Sequence, residues 1–205
     1  MPASRNPAGI FSRFFHPASD TSLINFMAFS FPVRKENDEV FYAETNPVNI
    51  KKSDLEELKR IASLTPRERA RICTHTGPSD LLHEMFIVHG RGAYVRPHRH
   101  LNRHEGMQVI EGTADMVVFS ESGELREVRR LDSANCFYQR LNAPLYHMLL
   151  IRSEWLVFYE ATSGPFDRSD TEFPSWALED SKTDAVGEFL DKMECTIVDW
   201  RKANE

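Results

Sequence analysis

Residues 92–112 read GAYVRPHRHLNRHEGMQVIEG, which is the spacing G-x5-H-x-H-x4-E-x6-G. On a β-strand, residues i and i+2 face the same side, so His98 and His100 would point together. Glu105 has the opposite parity, and it rejoins the histidines only if residues 101–104 turn the chain into a second strand. The stretch therefore predicts two imidazoles and one carboxylate on the inner face of a β-structure, which is half of a metal site.

A fourth candidate ligand lies farther along the chain, where His147 follows a turn signal at residues 142–144. Leu149 and Ile151 follow it at alternate positions and would line the same face. Three imidazole nitrogens and a carboxylate oxygen suit Fe(II), Mn(II), Ni(II), Co(II) or Zn(II) better than Ca(II), which prefers oxygen ligands. We therefore predict one divalent transition metal, with His98, His100, Glu105 and His147 as its ligands.

Other interpretations of these histidines stay open. An isolated H-x-H pair is more often a pair of surface residues on an alternating strand than a metal site. His104 competes with Glu105 as a ligand, although its place in the turn favours exposure to solvent. His75 lies outside the motif and is not expected to bind the metal.

The rest of the chain predicts an all-β fold with flanking helices. Short β-type runs separated by turn signals follow one another from residue 72 to 166, as in an antiparallel sandwich or barrel. Ser53 and Glu56 form a capping-box pattern before an apolar helical stripe, and a second helix is predicted over residues 184–202. We expect an arm at 1–45 with one possible strand, a metal-binding domain at 46–166, and a C-terminal loop and helix at 167–205 that pack on the barrel.

Composition excludes several classes of function. The chain has 205 residues and a formal net charge of −6, so it lacks the basic surface that nucleic acids or anionic membranes require. No apolar run of about 18 residues is present, and the three cysteines form no C-x-x-C pair. These features predict a cytoplasmic protein in a reducing compartment, without a nucleic-acid or membrane partner.

The histidine–glutamate pattern is similar to the first motif of the cupin superfamily, and His147 resembles the histidine of its second motif. In the usual second motif a glycine stands between the proline and the histidine, whereas Pro144-Leu-Tyr-His147 is shorter. The resemblance implies a jelly-roll β-barrel with a bound metal.

A closer resemblance covers residues 46–177. The stretches 63–71, 94–100 and 160–166, together with His75, resemble the WbuC family of cupin-fold metalloproteins. Members of that family occur in bacteria, and some are encoded with surface-polysaccharide genes. The resemblance implies no established reaction.

Several residues are candidates for a substrate pocket. Tyr94 and Arg96 share the parity of His98 and His100, so both are expected beside the metal, where Arg96 would pair with a carboxylate or phosphate. Alternatively, Pro97 interrupts the alternation and Arg96 forms a surface salt bridge. Weaker candidates flank the second motif and would line the mouth of the pocket: Tyr138, Arg140 and Tyr146.

Arg67, Arg69 and Arg71 recur at every second residue, a spacing that lines up on a strand. Two interpretations are compatible with this spacing. They would form structural salt bridges, for example with Asp80 or Glu84, or they would neutralise a bound anion; the salt-bridge interpretation is favoured.

Three functions are compatible with the sequence. The first is a metal-dependent enzyme acting on a small oxygen-rich molecule, with a sugar or sugar derivative as one candidate and with the reaction class undetermined. The second is a non-catalytic protein that uses the metal to bind a polar or anionic small molecule. The third is a structural metal in an assembly protein. We expect a homodimer, because cupin barrels often pair through sheet edges.

Overall fold

The computed structural model describes residues 29–180 and 183–204. Within these ranges, the chain forms two α-helices, Lys52–Ala62 (α1) and Thr183–Asn204 (α2), and a short 3₁₀ helix, Arg168–Asp170. The strands are Val33–Lys35 (β1), Val40–Ala43 (β2), Arg69–Cys73 (β3), Leu82–Gly90 (β4), Arg99–His100 (β5), Glu105–Glu111 (β6), Thr113–Phe119 (β7), Leu125–Asp132 (β8), Tyr138–Leu141 (β9), Tyr146–Ile151 (β10), Trp155–Ser163 (β11) and Thr171–Glu172 (β12). The predicted fold class, mostly β with one helix on each side in sequence, is confirmed.

The strands form one large sheet, one small sheet and a two-stranded ribbon. The large sheet has the order β1-β2-β3-β4-β11-β6-β9, the small sheet has the order β10-β7-β8, and β12 pairs with β5. All neighbours are antiparallel except β2 and β3, which run parallel. Neighbouring strands are often far apart in sequence, which is typical of a jelly roll. In this architecture two antiparallel sheets pack against each other.

The core lies between the two sheets. Along β11, Leu156 and Phe158 point inward and are almost fully buried, whereas Val157 points to the opposite face. Met107 and Val109 of β6 join the inner core, as does Leu149 of β10. This alternation is the period-2 pattern expected of strands that separate two packed layers.

Helix α1 covers the outer face of the large sheet. Leu58 and Ala62 are fully buried there against Ile72 and Val157, so one helical stripe packs on one sheet face. The capping-box prediction for this helix was wrong in its residues. Asp54 accepts from the backbone N–H of Lys51 at 2.8 Å, so the helix starts before Ser53, and Asp54 rather than Glu56 satisfies the N-terminal donor.

Helix α2 covers the outer face of the small sheet. Ile197 is fully buried and Met193 nearly so, and both pack against Phe119 and Met148. The buried carboxylate of Asp115 also ties this helix to the sheet, because it accepts hydrogen bonds from three arginines that lie on different elements: Arg130, Arg152 and Arg201.

Residues 1–28 of the predicted arm lie outside the described residues. The remainder of the arm contributes β1 and β2, which extend the large sheet next to β3. Among residues 29–180 and 183–204, no helix is both long and apolar enough to cross a membrane.

Candidate metal centre

The four predicted ligands lie together where the two sheets meet. His98 precedes β5 and pairs with His147, the second residue of β10, through two backbone hydrogen bonds of 2.9 and 3.1 Å. His100 ends β5, and Glu105 begins β6 in the large sheet. The small sheet with the adjacent β5 segment therefore supplies the histidines, and the large sheet supplies the carboxylate.

The donor atoms converge on a single position. One ring nitrogen from each of His98, His100 and His147 lies within 4.8 Å of the other two. The carboxylate of Glu105 is 3.1 Å from Nε2 of His100 through Oε2 and 3.1 Å from Nε2 of His147 through Oε1. Two nitrogens bound to one ion at about 2.1 Å are separated by at most about 4.2 Å, so the group needs only a small inward movement to hold a metal.

The opposite ring nitrogens are held by partners outside the centre. Nδ1 of His98 bonds the carbonyl of Arg96 at 2.8 Å, and Nδ1 of His147 bonds the carbonyl of Leu145 at 2.9 Å. A carbonyl only accepts, so each Nδ1 carries a proton, and the lone pair of Nε2 is available to a metal whenever the imidazole is neutral. Metal-binding histidines are oriented in this way, and the donor set therefore fits a metal.

His100 is oriented by a second layer of contacts. Its Nδ1 lies 3.2 Å from Oγ1 of Thr171, which also accepts a hydrogen bond from Arg103 at 2.8 Å. Arg103 in turn donates to the buried carboxylate of Asp170 at 2.8 Å. The ribbon of β5 and β12 thus holds the third imidazole through Thr171, its register partner.

The electrostatics favour a neutral His98 and a charged Glu105. Burial and the neighbouring His147 lower the pKa of His98 to about 3. Burial opposes the charge of Glu105, but its hydrogen bonds with His100 and His147 outweigh this and hold its pKa well below the usual range. Burial likewise disfavours protonated His147, yet the hydrogen bond to Glu105 raises its pKa. A divalent cation bound at the centre would neutralise the negative charge of the buried Glu105 carboxylate.

A cavity of about 540 Å³ extends from the four residues along the inner face of the large sheet. Apolar side chains such as Met85, Ile87 and Phe158 line its middle, and β2 and β3 line its far end. This volume is within the range of small-molecule sites.

Glu160 is a functional candidate that the sequence analysis did not assign. It lies in the inward series of β11 and lines the cavity next to Met107 of β6 in register. Burial and the charge of Glu105 raise its pKa to about 8. The sequence carries a signal for this role, because Glu160 is the charged residue in an inward series that otherwise contains Leu156, Phe158 and Thr162.

Two more histidines line the cavity beside the centre. His75 and His83 stack with ring centroids 4.2 Å apart and an interplanar angle of 1°. Nδ1 of His75 lies 3.1 Å from both backbone polar atoms of Glu84. His75 does not belong to the group of three histidines whose nitrogens converge.

Tyr94 and Arg96 do not face the metal centre, and their predicted place in the pocket was wrong. The hydroxyl of Tyr94 donates to the carbonyl of Leu178 at 3.1 Å, and Arg96 donates to the carbonyl of Ala177 at 3.2 Å. Val95 faces the core instead. The strand alternation fails because residues 93–97 form no ladder, and Pro97 has no N–H with which to continue one.

The three rim candidates also lie away from the cavity. Tyr138 and Arg140 share the exposed side of the edge strand β9. Tyr146 is buried on the outer side of β10, where its hydroxyl bonds Glu172 and its ring contacts Trp176. Because His147 faces inward, its neighbour Tyr146 must face outward.

Arg69 and Arg71 lie on β3, whereas Arg67 lies in the turn before it, and two of the three arginines form salt bridges. Arg67 and Arg69 both bind Glu39, and both contact Asp180. Their shared partner is thus Glu39, which lies between β1 and β2, rather than the predicted Asp80 or Glu84. Arg71 lies on the same inner face and lines the cavity.

A family model described as a domain of unknown function (DUF6016) matches residues 50–131, which is less than half of the chain. The comparison with curated proteins found no match.

Solved structures similar to this chain are cupin-fold proteins. The capsular polysaccharide assembling protein CapF from Staphylococcus aureus is 15% identical with a TM-score of 0.44, over 54% of this chain and 32% of that chain. Oxalate decarboxylase of Bacillus subtilis, described with Mn(II) centres, is 22% identical with a TM-score of 0.38, over 46% and 24%. A recombinant oxalate oxidase in complex with glycolate is 13% identical with a TM-score of 0.42, over 54% and 57%. The chain therefore spans less than two thirds of the length of each of these proteins.

Proposed function

We propose that this protein binds one divalent transition metal through His98, His100, Glu105 and His147, and that it is a metal-dependent enzyme acting on a small oxygen-rich molecule. The observation that carries the proposal is the orientation of the donors. Backbone carbonyls hold Nδ1 of His98 and His147, and the Nε2 atoms of His100 and His147 lie 3.1 Å from the carboxylate of Glu105.

The metal would be Fe, Mn, Ni, Co or Zn, and when bound it would supply Lewis-acid chemistry to a ligand in the cavity. Four protein donors leave room for a further ligand in the coordination sphere of these ions. Buried apolar side chains next to the donors, such as Met107, Met116 and Leu149, limit the access of water there, which strengthens electrostatic interactions at the centre.

Glu160 supports an enzyme rather than a binding protein because it places a further carboxyl group in the cavity of the metal donors. In the metal-free protein, burial and the charge of Glu105 raise its pKa to about 8, so it holds a proton near neutral pH, which an ordinary glutamate does not. Among the described residues its carboxyl group forms no salt bridge, although the charge of Arg71 acts on it. We assign it the role of proton donor or acceptor to the cavity ligand.

The WbuC-like stretches support a bacterial, cytoplasmic protein whose small-molecule partner is related to sugars in a surface-polysaccharide context. A non-catalytic protein that holds the same class of molecule through the metal is the second candidate.

Elemental analysis of protein purified without added metal, followed by titration of the EDTA-treated protein with Mn²⁺, Fe²⁺ and Zn²⁺, tests the metal proposal. We expect one ion for each chain and a rise in melting temperature with the bound ion. If no ion binds at stoichiometric levels, the proposal is wrong. Turnover of sugars, sugar acids or keto acids by the loaded protein would support an enzyme, and a metal-dependent ligand shift without turnover would support the binding protein.

A further inference from the structure

Arg71 differs from the other arginines of the cavity in having no carboxylate partner. Arg67 and Arg69 bind Glu39 and Asp180, and Arg103 binds Asp170. No acidic residue lies within salt-bridge distance of Arg71 in the part of the chain that the structure describes.

The strand pattern places the side chain of Arg71 inside the barrel. Ala70 and Ile72 are buried under α1 on the outer face of the large sheet, so Arg71 and Cys73 belong to the inner face. Arg71 nevertheless remains exposed, because the cavity opens beside it. Its charge acts on groups along the whole cavity, since it lowers the pKa of Glu160 and of His89, although other causes dominate both values.

The register gives the position of Arg71 relative to the metal centre. Arg71 lies in one row with Ile87, Phe158 and Val109, whereas Glu105 lies in a row with Thr162. The two rows are four residues apart along β11, which is roughly 13 Å at the backbone, and β3 and β6 are three strand spacings apart across the sheet, which is roughly 14 Å. The side chains of Arg71 and of the metal donors both line the cavity between these positions.

We propose that Arg71 binds the carboxylate of a small organic acid whose opposite, oxygen-bearing end lies at the metal centre. This inference deepens the proposed function, on which it rests, by naming the substrate class and the residue that recognises it. A planar guanidinium can donate two parallel hydrogen bonds to one carboxylate. A single arginine is therefore sufficient to bind a carboxylate.

A carboxylate fits this place better than a phosphate. Glu36 and Glu39 also line the outer part of the cavity, and their charges would repel a dianion. Arg67 and Arg69 are already neutralised by Glu39 and Asp180, so a phosphate would find one free cation among the described residues of this region. A single negative charge matches a single positive charge.

The test uses three six-carbon probes with full-length protein loaded with Mn²⁺. Gluconate carries a carboxylate and hydroxyl groups, sorbitol carries the hydroxyl groups alone, and hexanoate carries the carboxylate alone. Calorimetric titration of Arg71→Gln should show gluconate affinity reduced by about ten-fold or more, since a hydrogen-bonded charge contributes about 1.5–3 kcal/mol. Arg71→Lys should retain part of the affinity, and sorbitol binding should not change.

Arg129→Gln is the matched control, because it removes one exposed arginine on β8 that pairs with Glu127 away from the cavity. It should leave gluconate affinity within about two-fold of the wild type. Equal gluconate affinities of wild type and Arg71→Gln would overturn the inference, and so would the failure of gluconate to bind the wild type at all.

Metal titration of the same variant separates the two proposals. Arg71 is not a metal donor, so Arg71→Gln should bind Mn²⁺ like the wild type. If the wild type binds no metal, the proposed metal function fails, while an Arg71-dependent affinity for gluconate in EDTA-treated protein would still support the carboxylate site. If metal binding is intact and the substitution has no effect on gluconate, the carboxylate site alone is wrong.

Discussion

At the scale of single residues, orientation distinguishes the metal donors from the other histidines. His98 and His147 each bond the carbonyl two residues earlier in the chain, so the backbone itself sets the direction of both rings. His104 is exposed in the turn before β6, in line with its place in the sequence. The same residue types therefore serve different roles according to which backbone atoms surround them.

His147→Ala should lower the affinity for Mn²⁺ or Zn²⁺ by at least about 100-fold, because a first ligand is lost and Glu105 loses a hydrogen-bond partner. Metal titration of the EDTA-treated protein measures the effect. His104→Ala, which removes an exposed imidazole from the same region, is the control and should bind metal like the wild type. An unchanged affinity of His147→Ala would remove His147 from the ligand set.

Glu160→Gln should stabilise the metal-free protein increasingly as the pH rises. The pKa of Glu160 is raised from 4.5 to about 8 on folding, so between these values the folded protein keeps a proton that the unfolded chain has released. The wild type therefore loses stability as the pH rises through this window, and the neutral glutamine removes that loss.

Urea unfolding in EDTA from pH 5 to pH 9 measures this difference. The advantage of Glu160→Gln should be small near pH 5 and reach about 1–3 kcal/mol above pH 8. A difference that stays constant with pH would show that Glu160 titrates as an ordinary carboxyl group.

At the scale of elements, α2 stabilises the small sheet through one buried stripe and one buried charge cluster. Ile197 is 0% exposed, whereas the next residue, Val198, is 49% exposed. Arg201 of the same helix reaches Asp115 at 2.7 Å, so the helix also helps to neutralise a carboxylate inside the sheet. The C-terminal helix is thus part of the folded barrel rather than an appendage.

Ile197→Ala should reduce the free energy of unfolding by about 2–4 kcal/mol, because it leaves a cavity between the helix and the small sheet. Val198→Ala, on the exposed face of the same helix, should change it by less than about 0.5 kcal/mol. Chemical denaturation of both variants gives the comparison. Similar losses for the two variants would contradict the packing of α2 on the sheet.

At the scale of the whole molecule, β1 and β9 are the outer strands of the large sheet among the described residues. Strand β9 forms one edge, and Phe137 and Tyr138 beside it are 50% and 52% exposed. Apolar side chains at an unpaired strand edge favour association with another chain. This arrangement supports the expectation of a homodimer.

Light scattering at micromolar concentration should therefore give twice the 23.7 kDa mass of one chain. We expect the dimer interface to be apolar. Raising the salt concentration should therefore not lower the measured mass. A monomer mass across the micromolar range would show that the exposed edge serves another purpose.

The sequence by itself determined the fold class and the convergence of the three first-motif residues, because strand alternation and the H-x-H and Glu spacing are local properties. It also placed His147 on an inward face, where the structure finds it beside Glu105. Its predictions for Tyr94 and Arg96 failed because parity holds only within a paired strand, and residues 93–97 form none.

Only the tertiary structure decided what surrounds the centre. Glu160 and Arg71 come from strands that are far from the motif in sequence, and the sheet order places them in one cavity with it. The raised pKa of Glu160 depends on its burial and on the charge of Glu105, neither of which is visible in a linear pattern. Ion pairing likewise depends on spatial neighbours, which is why Glu39 neutralises Arg67 and Arg69 and leaves Arg71 to the cavity.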